Sequence, residues 1–283
     1  MKPYAMLSTH ELVLAALAED IGDGDRTTLW TVPAGAVAQA RIVAKAPGVI
    51  AGIEVAREVV CAVDRSVEMS PQVKDGDSVE AGDLVMTLHG SARSLLSAER
   101  VTLNFLQRLS GVATLTREYV RRVEGTGARI LDTRKTTPGM RLLEKAAVRA
   151  GGGTNHRIGL FDMVLIKENH IAAAGGITAA VEAVRAQNRE GLRVEVETRN
   201  LEEVDEALRA GVDVILFDNM PLEMLREAVA RVRASGTGTR TEASGGVTLE
   251  TVGAIARTGV DLISVGALTH SAPALDLSML IEG

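Results

Sequence analysis

The sequence is short of several things, and each shortage excludes something. It holds one cysteine, Cys61, among 283 residues. That rules out a disulfide framework and a cysteine-built zinc site, and a lone cysteine reads as a small apolar core residue. Aromatics are scarce, with three Phe, two Tyr and one Trp. The core must therefore be aliphatic, which suits helices packed on buried parallel strands. No apolar run approaches the roughly 18 residues of a membrane span, and the N-terminus has no signal-peptide pattern. A cytoplasmic protein without a membrane partner is expected. Basic charge is in deficit, 31 Lys and Arg against 37 Asp and Glu, a formal net charge of −6. No general basic field would steer such a chain to nucleic acid, so anion binding must be local.

One stretch reverses that balance. Between Arg129 and His170 stand Arg129, Arg134, Lys135, Arg141, Lys145, Arg149, Arg157 and Lys167 against Asp132, Glu144, Asp162 and Glu168. Arg141, Lys145 and Arg149, four apart after Pro138-Gly139, read as one solvated helix face. The other cations fall beside extended runs and are candidates for a site.

The length fits one small domain plus a barrel-sized one. The first part reads as mixed α+β. "STHELVLAALAED" opens with a capping box, Ser8 to Glu11, and sets Leu12, Val13, Ala16 and Leu17 on one helical face. Short extended pieces follow, "ARIVAKA", "GVIAGIEV" and "DLVMTLHG". "LSAERVTLNFLQRLSG" then predicts a helix buried along Leu96, Leu103, Leu106 and Leu109, with Arg100, Asn104 and Gln107 opposite and Gly111 as terminator. Beyond it the rhythm becomes strand, polar tip, helix, repeated. The strands are "ARILDT", "DMVLIKE", "RVEVET", "VDVILFD", "RTEASG" and "DLISVGA". Such alternation predicts a parallel sheet, and with no GxGxxG after its first strand a barrel is the better reading. The division falls as 1–113 and 114–283, the extreme C-terminal segment being free to pack back on the first domain.

Chemistry in such barrels sits at the carboxyl ends of the strands. The tips here carry Asp132 to Lys135, Lys167 to His170, Glu197, Asp218-Asn219, Ser244-Gly245-Gly246 and Gly266. Alternation in "RVEVET" puts Glu195 and Glu197 on one face, and a glutamate turned inward needs a cation, a metal or a shared proton. Glu197 and Asp218 suit Mg²⁺, which takes one or two protein carboxylates. The "SGG" and "SVGA" loops suit a phosphate. The cations suit carboxylates or a pyrophosphate. These parts sketch a phosphorylated sugar reacting with a polyanionic acceptor.

The segments "AEDIGDGDRTT", "AERVTLNFLQRLSG", "LDTRKTTPGMRLLEKAAVRAGGGTNHR", "LIKENHI", "VEVET", "FDNM", "EASGG" and "VGALTHS" together resemble the quinolinate phosphoribosyltransferase family along nearly the whole chain. The resemblance implies an α/β fold with an N-terminal open α/β sandwich and an incomplete, seven-stranded parallel α/β barrel. It implies Mg²⁺-dependent transfer of a phosphoribosyl group from 5-phosphoribosyl 1-pyrophosphate to quinolinate with loss of CO₂. It implies a homodimer, or a hexamer of dimers, with Arg100 donated across the interface. On the matching motifs, Thr133, Arg134, His156, Arg157 and Lys167 would hold quinolinate. Lys135 would face the phosphoribosyl donor, Glu197 and Asp218 its Mg²⁺ and ribose, and Ser244, Gly245, Gly246, Gly266, Ala267 and His270 its 5′-phosphate. Two alternatives stay open: a molybdenum-transport-associated relative, which would lack Lys167, and a Schiff-base aldolase using that lysine.

Overall fold

A computed structural model describes residues 7–282. The N-terminal stretch expected to lack a targeting signal therefore lies partly outside the described residues. The chain begins with α1 (Thr9–Ile21), α2 (Arg26–Thr31), β1 (Val37–Ala44), β2 (Gly48–Val49), α3 (Ile53–Val63), β3 (Glu68–Pro71), β4 (Ser78–Val79), β5 (Leu84–Ser91) and α4 (Ala92–Arg122). It continues through β6 (Arg129–Leu131), α5 (Arg141–Ala150), β7 (Val164–Ile166), α6 (Glu168–Ala174), α7 (Ile177–Gln187), β8 (Val194–Thr198) and α8 (Leu201–Ala210). It ends with β9 (Val214–Asp218), α9 (Leu222–Ser235), β10 (Arg240–Ser244), α10 (Val252–Ala256), β11 (Leu262–Ser264), α11 (Ala267–His270) and β12 (Leu277–Glu282). No described helix is long and apolar enough to cross a membrane.

These elements form two compact units: Met1–Arg117 with Thr136–Gly152 and Thr269–Gly283, and Glu118–Lys135 with Gly153–Leu268. In the first unit an antiparallel sheet runs in the order β12-β1-β5-β3. The C-terminal strand β12 pairs with β1 along six residues, from Gln39–Glu282 to Ala44–Leu277. β1 buries alternate residues, Ala38, Ala40, Ile42 and Ala44, the period of two expected of a strand with one wet face. They pack with Val85, Leu88, Leu95 and Leu106 in an aliphatic core. The capping box at Ser8 forms as expected, with Ser8 and Glu11 satisfying each other's backbone N–H.

α4 and α5 differ from what the sequence predicts. α4 runs through Gly111 to Arg122 instead of stopping there. A Cβ at Gly111 would stand 2.0 Å from the carbonyl oxygen of Pro273, so this glycine serves a close backbone approach and not a helix end. In α5, Arg149 is exposed but Lys145 is 1% exposed; the three cations are not one solvated face. Beside Lys145, Glu144 is fully buried and takes Arg108 Nε at 3.1 Å and Nη2 at 2.8 Å, with Thr137 N at 3.0 Å and Thr137 Oγ1 at 2.8 Å. Charges on this helix are drawn inward by partners far away in sequence, which local periodicity cannot register.

The second unit is a six-stranded sheet in the order β6-β11-β10-β9-β8-β7, with every pairing of neighbours parallel. β6 and β7, neighbours in the chain order of strands, thus occupy opposite edges, as in a sheet curling towards closure. Next to β6 a single parallel bridge, Leu131 to Thr154, holds the place of a seventh strand. The amino ends of the strands are pinned by aspartates from the turns: Asp213 Oδ2 accepts from Val194 N at 2.7 Å, and Asp261 Oδ2 from Thr241 N and Oγ1 at 2.8 Å each. Gly211 and Gly236 end α8 and α9 in the left-handed conformation, which glycine adopts without steric cost.

Gly111→Ala should lower the unfolding free energy by about 1–3 kcal/mol, the usual cost of forcing extra volume into a packed contact. Urea unfolding of the variant beside the parent checks this.

Candidate active site

β8 carries a half-buried Glu197 near its carboxyl end, followed by the buried Thr198, and β9 ends on Asp218. Glu197 is in register with Leu216, two residues before Asp218, so both carboxylates lie on one face of neighbouring strands. Lys167, after β7, places Nζ 3.0 Å from Glu197 Oε2 while half of its side chain stays exposed. The Lys167 N–H donates to His170 Nδ1 at 3.0 Å, so His170 anchors the start of α6. Together these bring a cation and two carboxylates to the carboxyl ends of three adjacent strands.

The Ser244 loop is shaped by a residue the sequence reading left without a role. Asn219 is the one non-glycine residue with positive φ, at 53°, among the described residues. Its N–H donates to Ser244 O at 2.9 Å. Its side chain lies where a Cβ on Gly245 would be, 2.3 Å from Oδ1, and Gly245 and Gly246 have φ of 92° and 59°. Only glycine fits there, so the "SGG" turn is fixed by sterics as well as conformation. Gly266 lies between β11 and α11, and Ala267 opens α11. His270 ends α11 with Nδ1 2.5 Å from Ser271 Oγ. Arg100 is exposed on α4, with Glu99 at 4.0 Å as its ion-pair neighbour. Thr133 Oγ1 accepts from Lys135 N at 3.1 Å, and Lys135 itself is exposed.

Deeper in the second unit the charges are buried. Asp132 is fully buried and accepts from Asn155 Nδ2 at 2.5 Å and from His156 N at 2.8 Å. Arg157 N–H donates to His156 Nδ1 at 2.8 Å, which puts the imidazole proton on Nε2. Nε2 faces Glu195 Oε2 at 3.1 Å and Glu242 Oε1 at 3.6 Å. His156 is thus turned towards two carboxylates, a geometry that motif position alone did not disclose.

Glu195 and Glu242 are each 1% exposed. Burial, and then the charge of Glu195, push the Glu242 carboxyl up to about 8. The Ser264 hydroxyl donates to Glu242 Oε1 at 2.5 Å. Sequence reasoning passed over Glu242, although alternation in "RTEASG" sets it on the face opposite Thr241 and Ala243. Arg157 is buried, and burial followed by the neighbouring Arg134 guanidinium lowers its affinity for its proton. Its Nη1 donates to Met163 O at 3.2 Å, whereas its Nε is buried without a hydrogen-bond partner. Glu195 Oε1 is in the same condition.

These buried groups line a cavity of about 590 Å³ inside the second unit. Arg129, Arg193 and Arg240 stand around it with His156, Arg157, Glu195 and Glu242, and Leu131, Val214 and Leu262 give it an apolar wall. The site therefore has two parts. The carboxyl ends carry Lys167, Glu197, Asp218 and the glycine loop, as the sequence predicts. His156 and Arg157 belong to the cavity wall.

The profile of the quinolinate phosphoribosyl transferase N-terminal domain matches residues 25–110, and that of its C-terminal domain residues 112–280. The probable carboxylating nicotinate-nucleotide pyrophosphorylase of Bacillus subtilis is 48% identical, over 92% of this chain and 89% of that protein. The carboxylating nicotinate-nucleotide pyrophosphorylase of Mycobacterium leprae is 45% identical, with 96% of each chain covered. Among solved structures, NadC of Streptococcus pyogenes superposes with a TM-score of 0.93 at 41% identity, covering 99% of both chains.

Asp132→Asn should cost about 1–3 kcal/mol of stability, because an amide cannot accept from both Asn155 Nδ2 and the His156 N–H and leaves one buried donor unmet. Urea titration followed by circular dichroism measures it.

Proposed function

The chain belongs to the quinolinate phosphoribosyl transferase family, and on that premise we propose that it transfers the phosphoribosyl group of 5-phosphoribosyl 1-pyrophosphate to quinolinate. The products are nicotinate mononucleotide, pyrophosphate and CO₂, a step of NAD biosynthesis. The observation that carries the reading is the Arg134–Arg157 pair. Arg134 stands close enough to weaken the hold of Arg157 on its proton, and a guanidinium so placed with a buried unpartnered Nε calls for an anion with planar acceptors. A pyridine dicarboxylate is such an anion.

Arg134, Arg157 and Lys167, with Thr133 beside them, hold the two carboxylates of quinolinate and leave its ring nitrogen as nucleophile. His156 orients this wall rather than gripping the ligand, since both of its ring nitrogens meet protein groups. Arg100 reaches the same ligand from a neighbouring subunit in a homodimer or a hexamer of dimers, consistent with its exposure and weak local pairing. Lys135 faces the phosphoribosyl donor. Ser244, Gly245, Gly246, Gly266 and Ala267 receive the 5′-phosphate, for which the N–H groups of a tight glycine turn are suited. The protein acts in the cytoplasm.

Glu197 and Asp218 fit Mg²⁺: they are oxygen donors, partly exposed, on one face of adjacent strands. When bound, Mg²⁺ would neutralise charge on the pyrophosphate leaving group. The chain's own groups do the rest. Departure of pyrophosphate leaves positive charge on the ribose, which the Glu197 and Asp218 carboxylates offset. The held dicarboxylate presents its nitrogen in line, so positioning supplies much of the acceleration. Once that nitrogen is quaternary, the adjacent carboxylate leaves as CO₂ and the ring cation stabilises the electron pair left behind. No covalent protein intermediate is required.

Incubation with quinolinate, the phosphoribosyl donor and Mg²⁺ should yield nicotinate mononucleotide; turnover of nicotinate in place of quinolinate would overturn the substrate assignment. Arg157→Lys keeps the charge but loses the planar fork, and should raise the quinolinate KM about tenfold to a hundredfold, in line with the roughly 1.5–3 kcal/mol of a charged hydrogen bond. Lys167→Met should abolish quinolinate binding in equilibrium titration, and retained affinity with loss of the chemical step alone would sink its assignment.

A further inference from the structure

Two buried carboxylates and one imidazole lie together inside the second unit, with ligand atoms of His156, Glu195 and Glu242 all within 4.8 Å of one another. Two occupants could reconcile the like charges: a divalent cation or a proton. The imidazole decides between them. A neutral histidine that binds metal through Nε2 must carry its proton on Nδ1. Here Nδ1 accepts the Arg157 N–H at 2.8 Å, so the proton is on Nε2, where it points at the carboxylates and blocks coordination. That proton lies nearer Glu195, at 3.1 Å, than Glu242, at 3.6 Å. The imidazole N–H therefore serves Glu195. Glu242 must be answered otherwise.

We propose that Glu242 is kept as a neutral carboxylic acid and acts as a positioning residue, setting the charge of the cavity that His156 and Arg157 line. The charge balance gives this a consequence. The cavity is lined by Arg129, Arg157, Arg193 and Arg240, and by Asp162, Glu195, Asp213 and Glu242. With every group ionised the four cations and four anions cancel. One proton on Glu242 leaves a surplus of one positive charge, and the cavity then attracts an anion. The groups facing Glu242 are Glu195 on β8, the His156 ring, Arg240 on its own strand and the Ser264 hydroxyl on β11. The proposal rests on the quinolinate reading only for which anion benefits.

The sign of the stability effect is fixed by the raised carboxyl. Between the ordinary value of 4.5 and about 8 the native state holds a proton that the unfolded chain has released. The stabilisation is fully present below 4.5 and is lost as pH rises through about 8. Glu242→Gln copies the neutral acid in shape and still offers Ser264 an acceptor. Its melting temperature should match that of the parent near pH 5 and exceed it near pH 8–9. The parent's quinolinate KM should rise at least about threefold between pH 7 and 9, as expected for one uncompensated charge at short range, with kcat little changed. In E242Q that rise should be absent.

A variant that fails to fold, or that is less stable than the parent at every pH, would show that Glu242 is needed as an anion and overturn the proposal. So would coincident KM profiles. So would one equivalent of a divalent metal found by elemental analysis in purified parent and missing from E242Q. The melting curves read Glu242 without any substrate. Absence of quinolinate turnover in the parent with the predicted melting behaviour therefore strikes the substrate reading and not this one.

Discussion

Charge withdrawn from water is the constraint on which the second unit depends. An ion moved into a low-dielectric interior loses several kcal/mol even after relaxation, unless donors, a counter-charge or a proton answer it. Each buried ion here is answered differently. Asp132 is satisfied by Asn155 and the His156 N–H. Glu195 is met by the imidazole, and Glu242 by the Ser264 hydroxyl and, as proposed, a proton. Arg157 keeps its Nε unmet. In a folded protein an orphaned buried donor is the exception, and one beside a second guanidinium reads as a seat for a ligand. The short β6 and the bridge at Thr154 serve the same end, because they bring Asp132 and His156 within one hydrogen bond of each other.

Much of this was legible in the sequence. The alternation of strand and helix predicts the parallel sheet, and the strand tips point to Lys167, Glu197, Asp218 and the Ser244 turn. Those inferences rest on local patterns, which the fold preserves. What was not legible depends on partners remote in the chain. Gly111 looks like a helix stop until Pro273 is known to approach it. Lys145 looks solvated until its helix is seen turned inward. Glu242 has an ordinary strand context, and its character comes from Glu195 and His156, 47 and 86 positions earlier in the numbering. No window of a dozen residues contains that information.

The two ends of the strands divide the labour of rigidity and chemistry. At the amino ends Asp213 and Asp261 tie neighbouring strands together through side-chain-to-backbone bonds. At the carboxyl ends the backbone is bent into costlier shapes: Asn219 at positive φ, and Gly245 packed where a Cβ would collide with it. A non-glycine residue in that conformation costs roughly 1 kcal/mol or more and persists only where its surroundings hold it. Here the Ser244 carbonyl does so. Strain is thus concentrated at the proposed phosphate turn, beside Asp218, whose register with Ser244 couples the two tips.

The adjacency of His156 and Arg157 links these themes. Because the Arg157 N–H fixes the imidazole tautomer, the backbone that aims the guanidinium also decides where the histidine proton points. The histidine proton in turn points at Glu195, a carboxylate whose charge Arg157 feels. An arginine left without a nearby anion would be too costly to bury, and one fully neutralised would have no field left for a ligand. Glu195, turned to the imidazole, and Asp162 satisfy both conditions: Arg157 feels their charge while its Nε stays unpaired. The cationic run that looked anomalous in an acidic chain is therefore balanced from beneath by carboxylates, and its capacity for an anion depends on how many of them are ionised.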